Sequence, residues 1–140
     1  MRRVAVAQLI SSDNLDENLS ALEVLFEQAS VEDAQLLVLP ENFACMGRYE
    51  QDKLALAESE GLGIIQETLS RLSREYTIWV VAGTVPLKAS DGRVWASSLV
   101  FDANGVQVAR YDKIHLFDVH LSDTETYQES KTCAPGTTPV

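Results

Sequence analysis

The chain has 140 residues, 46% of them hydrophobic and 23% charged, a globular composition that excludes a disordered tail, a collagenous repeat or a mucin-like stalk. At this length roughly 7,200 Å² stays exposed of the roughly 22,000 Å² of the extended chain, which allows one ordinary core and one compact domain. The 21 acids against 11 bases leave a formal charge of −10, which argues against a nucleic-acid or anionic-membrane partner.

Met1-Arg2-Arg3 followed by Val4 to Leu9 begins like a signal peptide. Gln8 interrupts the apolar run and Ser11-Ser12-Asp13 ends it, so the segment is too short for one. No run approaches the roughly 18 apolar residues of a membrane span. Val4 to Leu9 reads instead as a central strand buried on both faces. Asn14-Leu15-Asp16-Glu17 then has the form of a capping box. Leu15, Leu19, Leu22, Phe26 and Ala29 place one apolar face on the helix that follows, with Glu23 and Glu27 toward water. Gln35 to Leu39 is a second strand, stopped by Pro40, and Glu50 to Ser59 reads as a short helix. Leu62, Ile65, Leu69, Leu72 and Tyr76 form another helical stripe, with Arg71 and Arg74 near its C-terminal end. Ile78 to Gly83 is a third strand, so the order to this point is βαβαβ.

Asp91-Gly92 and Asn104-Gly105 are turn dipeptides that separate Val81 to Leu87, Val94 to Phe101 and Val106 to Tyr111, which predicts adjoining antiparallel strands. Asp118 to Val140 lacks periodicity and reads as a closing loop. Ligands of an open α/β sheet bind beyond the carboxyl ends of its strands, which favours Pro40-Glu41 as a site. Gly61-Leu62-Gly63 lacks the third glycine of a dinucleotide loop and does not follow a convincing strand.

Glu41 leaves the sheet directly after Leu36 to Pro40. It is either a solvated loop acid or a general base raised in pKa by apolar walls. Lys113, in Tyr111-Asp112-Lys113-Ile114-His115-Leu116-Phe117-Asp118, is either an exposed lysine paired with Asp112 or Asp118 or a cation held to stabilise a developing oxyanion. His115 and His120 have no third ligand at metal spacing, and structural hydrogen bonding is the better reading. Cys45 follows Glu41 by four residues, so a helical turn would join them and suggest an activated thiolate. A small buried hydrophobe is the commoner fate of a free cysteine, and Cys133 has no base beside it. Two such distant cysteines do not make a disulfide framework or a metal knuckle, and a reducing, cytoplasmic location is expected.

Leu39-Pro40-Glu41-Asn42-Phe43, the run from Arg110 to Asp118, and Gln128-Glu129-Ser130 leading to Pro135-Gly136 resemble, in that order, successive motifs of the nitrilase superfamily of carbon-nitrogen hydrolases. Among its branches the chain most resembles the omega-amidase and deaminated glutathione amidase group. The resemblance implies an α/β fold that is the N-terminal part of an αββα sandwich. It also implies a Glu-Lys-Cys triad that hydrolyses amides of small carboxylic acids through a thioester and releases ammonia, with no metal or cofactor. Glu41 matches the general base, Lys113 the lysine that stabilises the tetrahedral intermediate, and Glu129 a supporting glutamate. The family's nucleophile lies beyond the Pro-Gly segment, and neither Cys45 nor Cys133 matches it. Residues 1–140 are therefore expected to be a single carbon-nitrogen hydrolase domain truncated before its nucleophile cysteine and inactive alone. The sheet face left uncovered should be met by a second copy or a complementary chain. Two other readings are kept: a non-catalytic half-domain that binds a complementary chain, and an unrelated nucleotide-binding module that a dinucleotide would protect.

Overall fold

A computed structural model describes residues 3–49, 51–122 and 125–140. The elements run β1 (Val4–Val6), α1 (Leu15–Val31), β2 (Leu36–Val38), α2 (Asp52–Ala55), α3 (Ile64–Tyr76), β3 (Trp79–Lys88), β4 (Val94–Phe101), β5 (Gln107–Asp112), β6 (Asp118–Ser122) and β7 (Glu125–Gln128), followed by one 3-10 turn, Glu129–Lys131. The first five strands form one sheet in sequence order. β1, β2 and β3 are parallel, and β3, β4 and β5 are antiparallel neighbours.

α1 starts where its sequence says it should. Asn14 accepts hydrogen bonds from the Asp16 and Glu17 amides, while the Ser12 hydroxyl accepts from the Asn14 amide and donates to the Glu17 carboxylate, so the reciprocal half of the capping box passes through Ser12. The stripe Leu19, Leu22, Phe26 and Ala29 is buried, as are Ile65, Leu69 and Leu72 of α3. Both helices pack on the sheet face that carries Leu37, Val80, Ala82, Leu99 and Phe101. α3 has no side-chain cap of its own at Gly63. The buried Glu58 carboxylate accepts from the Ile65 and Gln66 amides instead, satisfying donors that a helix start leaves open.

Three expectations need correction. Val4 to Leu9 is not a central strand: β1 is three residues long, lies at the sheet edge, and leaves Val4 and Val6 59% and 79% exposed. The strand pairing places these two with Leu36, Val38, Trp79, Val81 and Val100 on one outer face, over which no described element packs. The apolar run is suited to burial on both faces, and the described residues provide a cover for only one. Second, Asp118 to Val140 is not a plain closing loop, because β6 and β7 form a hairpin whose first pair is Asp118 with Gln128. Asp118-Val119-His120-Leu121-Ser122 does alternate polar and apolar residues as a half-buried strand would, a short signal set in a segment otherwise rich in Ser, Thr, Pro and Gly. Third, the short helix after Pro40 shrinks to the four residues of α2, and Glu50 itself lies outside the described residues.

Candidate active site

β2 and β5 run in the same direction, β2 through its parallel pairing with β3 and β5 through two antiparallel steps. Chain segments leaving their C-terminal ends therefore emerge on the same edge of the sheet. Leu39-Pro40-Glu41 leaves β2 there and Lys113 leaves β5, 72 residues apart in sequence. The Glu41 Oε1 lies 3.1 Å from the Lys113 Nζ. Glu129, on the 3-10 turn after the hairpin, completes the group, its carboxylate oxygens 3.3 and 3.1 Å from the same nitrogen. All three residues singled out in the sequence thus meet at one ammonium.

The two carboxylates differ in environment. Glu129 is 5% exposed and accepts the Phe117 amide at 2.7 Å. The Glu41 side chain is 54% exposed, so the apolar enclosure expected around it is not provided by this chain. Burial lowers the Lys113 pKa, but hydrogen bonds to Glu41 and Glu129 and their charges outweigh that effect and leave it above the ordinary lysine value. Lys113 pairs with neither Asp112 nor Asp118: Asp112 is held by Ser97 and Arg110, and Asp118 by Ser130. An ammonium fixed between two carboxylates is a stationary positive charge, the group needed where an oxyanion develops.

Main-chain contacts set these positions. The Lys113 amide donates to the Ala96 carbonyl at 3.0 Å, and the Lys113 carbonyl accepts from Gly136 at 2.9 Å. A Cβ on Gly136 would stand 2.2 Å from the Asp112 carbonyl oxygen, which accounts for glycine in the Pro135-Gly136 pair. Across the site, a Cβ on Gly83 would stand 2.0 Å from the Pro40 carbonyl oxygen. Asn42 adopts a left-handed φ of 57° and donates its amide to the Thr84 hydroxyl at 2.9 Å. The buried Asn18 bonds the Ser12 main chain and donates to the Ala44 carbonyl, tying the loop after β1 to the loop that carries Glu41. Sequence reading passed over Asn18, Gly83 and Thr84. Asn18 had a usable signal, a polar residue one position from Leu19 on the apolar side of α1.

Beside the triad-like cluster lies a pocket of about 30 Å³ whose walls include Asn42, Cys45, Lys53, Glu129 and Cys133, room for a water-sized group. Neither cysteine forms a disulfide. The helical turn that would join Glu41 to Cys45 is absent. Burial, with Asp52 and Asp13 nearby, pushes the Cys45 thiol up and outweighs Lys53, the opposite of activation. Cys133 is buried, with the Lys53 Nζ 3.8 Å from its sulfur. His120 bonds Thr126 across the hairpin through Nδ1 at 3.0 Å. No described helix is long and apolar enough to cross a membrane.

The carbon-nitrogen hydrolase family model matches residues 3–140. The chain is 37% identical over 139 residues to the deaminated glutathione amidase of Yersinia enterocolitica, covering 95% of this chain and 47% of that protein. It is 32% identical over 135 residues to the omega-amidase of Bos taurus, covering 96% and 48%. Among solved structures, the Caenorhabditis elegans NitFhit protein superimposes with a TM-score of 0.85 at 30% identity, covering 96% of this chain and 33% of that one. Saccharomyces cerevisiae Nit3, a member of branch 10 of the nitrilase superfamily, does so with a TM-score of 0.79 at 26% identity, covering 96% and 48%. The chain spans about half the length of the curated relatives it matches.

Proposed function

The chain belongs to the carbon-nitrogen hydrolase family, and from that premise we propose that Glu41, Lys113 and Glu129 form part of a site that hydrolyses amides of small carboxylic acids. The observation that carries this reading is the convergence of two carboxylates on one ammonium where β2 and β5 leave the sheet. The amidase names of the relatives support the substrate class.

In this mechanism the nucleophilic thiol comes from polypeptide other than these 140 residues: burial pushes the Cys45 thiol up, and Cys133, with the Lys53 Nζ 3.8 Å from its sulfur, does not match the nucleophile position that the resemblance implies. Glu41 takes the thiol proton, and the sulfur attacks the amide carbon. Lys113 balances the negative charge that moves onto the carbonyl oxygen. Protonated Glu41 returns its proton to the leaving nitrogen, the carbon–nitrogen bond breaks, and ammonia departs from a thioester. Water then attacks the thioester with Glu41 as base, yielding the carboxylic acid and the free thiol. Glu129, buried and bonded to the Phe117 amide, holds Lys113 in place through both steps. No metal or cofactor takes part in this scheme.

Ammonia release from small amides tests it. The purified chain alone is expected to show no turnover. Co-expression with the remaining half of the Yersinia relative is expected to give turnover that Glu41→Gln and Lys113→Met each lower by about 10²-fold or more, the scale of losing one oxyanion-stabilising group. Turnover by the chain alone that Cys45→Ala abolishes would overturn the assignment of the nucleophile.

A second reading has its own observation, the outer sheet face with Val4, Val6 and Trp79 exposed. On that reading the chain is a non-catalytic half-domain that persists by binding a complementary chain. A stoichiometric companion in a native pull-down, with no amide turnover by the pair, would select it over the enzyme.

A further inference from the structure

Glu129 stands on a single 3-10 turn of three residues, too short to hold a carboxylate in place by its own hydrogen bonds. The Thr132 and Cys133 amides and the Arg93 guanidinium hold its main chain, and a ring of four contacts between two dipeptides adds the restraint nearest the carboxylate. The Phe117 amide donates to the Glu129 Oε2 at 2.7 Å, and the Glu129 amide donates back to the Phe117 carbonyl at 3.2 Å. One residue further along, the Asp118 Oδ1 accepts the Ser130 amide at 3.0 Å and its Oδ2 accepts the Ser130 hydroxyl at 2.6 Å. Asp118 is also the first residue of β6 and pairs with Gln128 at the base of the hairpin. Its side chain is exposed and is separated from Lys113 by the Phe117 and Glu129 contacts, so it acts on the ammonium only through its neighbours.

We propose that Asp118 is a positioning residue: its carboxylate clamps Ser130 and thereby fixes the buried Glu129 against Lys113. This rests on the reading that Glu129 belongs to the site, and goes beyond it by assigning a role to a residue that touches neither substrate nor Lys113. Without the Asp118 carboxylate the Ser130 amide and hydroxyl lose their acceptor, while the Glu129 carbonyl keeps the Thr132 and Cys133 amides and the Ser130 carbonyl keeps Arg93, which leaves the turn a small rotation only. A rotation that small would lengthen both Glu129–Lys113 contacts, because they already lie at 3.1 to 3.3 Å.

Amide and ammonium signals in ¹H–¹⁵N correlation spectra of the whole chain provide the test, since a simple staple for stability would not move them selectively. The sequence has four lysines, Lys53, Lys88, Lys113 and Lys131, so the ammonium region can be assigned by substitution. Glu129→Gln sets the scale by removing the charge that faces Lys113. Asp118→Asn is expected to move the Phe117 amide proton by at least half the Glu129→Gln displacement and to broaden the Lys113 ammonium signal, with the remaining dispersion intact. Ser130→Ala, which removes only the hydroxyl donor, is expected to move both in the same direction by less. It serves as the readout if Asp118→Asn fails to fold. Unchanged Phe117 and Lys113 signals in the folded Asp118→Asn chain, or in Ser130→Ala if the former is unfolded, overturn the clamp while a Glu129→Gln response leaves the site reading standing. A Lys113 signal indifferent to Glu129→Gln overturns both.

Discussion

Lys113 has two carboxylates against its ammonium and carries a raised pKa, the net result of a burial penalty overcome by hydrogen bonds to Glu41 and Glu129. The sign of the consequence follows from linkage. A folded-state pKa above the unfolded value means the stabilisation is fully present below the unfolded lysine value of about 10.4 and is lost as pH rises through the higher folded value. Lys113→Met should therefore differ from the parent by a constant amount in urea unfolding near neutrality, and the gap should close above about pH 10.4. A gap that stays open through that range would mean the carboxylates do not act on Lys113 in solution. The three candidate side chains were marked in the sequence because short local motifs surround each of them. The exposure of Glu41 was not, because its enclosure depends on what faces it across the sheet and not on its neighbours in the chain.

At the scale of elements, the candidate site forms because β2 and β5 point the same way and the segments leaving them lean toward each other over β3 and β4, Pro40 against Gly83 and Lys113 against Ala96. Gly83, at the bulge where the register of β3 shifts between Ala82 and Val85, lets the Pro40-Glu41 segment pass over the strand. Gly83→Ala would push a methyl group into the Pro40 carbonyl, which sits 2.0 Å from where that carbon must go. We expect a loss of about 1–3 kcal/mol, the usual cost of overpacking, read as a lower urea midpoint at unchanged slope, together with a weakened Lys113–Glu41 contact. A variant as stable as the parent would show that the crossing is looser than described. The helices and the antiparallel strands were readable from stripes and turn dipeptides. The β6–β7 hairpin was not, because the alternation of Asp118-Val119-His120-Leu121-Ser122 is short and stands in a segment rich in Ser, Thr, Pro and Gly, and Asp118 and Glu129 bind across its base.

For the whole molecule, the sheet has helices on one face and an apolar surface on the other, with Val6 79% and Trp79 44% exposed. A broad depression over Val4, Leu36 and Trp79 lies at the opposite strand ends from Glu41, so it belongs to this uncovered face and not to the site. Contiguous apolar surface of more than a few hundred Å² promotes association. The isolated chain should sediment as a dimer or larger species and bind an apolar dye. Val6→Lys combined with Trp79→Glu should shift it toward monomer and reduce the dye signal. A monomeric parent with a sharp thermal transition and no dye binding would show that the face needs no cover.

By itself the sequence determined the two long helices and the antiparallel strands β3 to β5, and its motifs marked Glu41, Lys113 and Glu129 as candidates. Those features are written in local spacing: a polar cap before a stripe, a proline after an apolar run, a glycine in a two-residue turn. Only the tertiary structure decided that one ammonium lies between two carboxylates from distant segments, that Asn18, Gly83 and Asp118 hold that arrangement, and that one face of the sheet stands open. Distances between segments far apart in the chain arise from strand order and packing, which no local pattern of residues records.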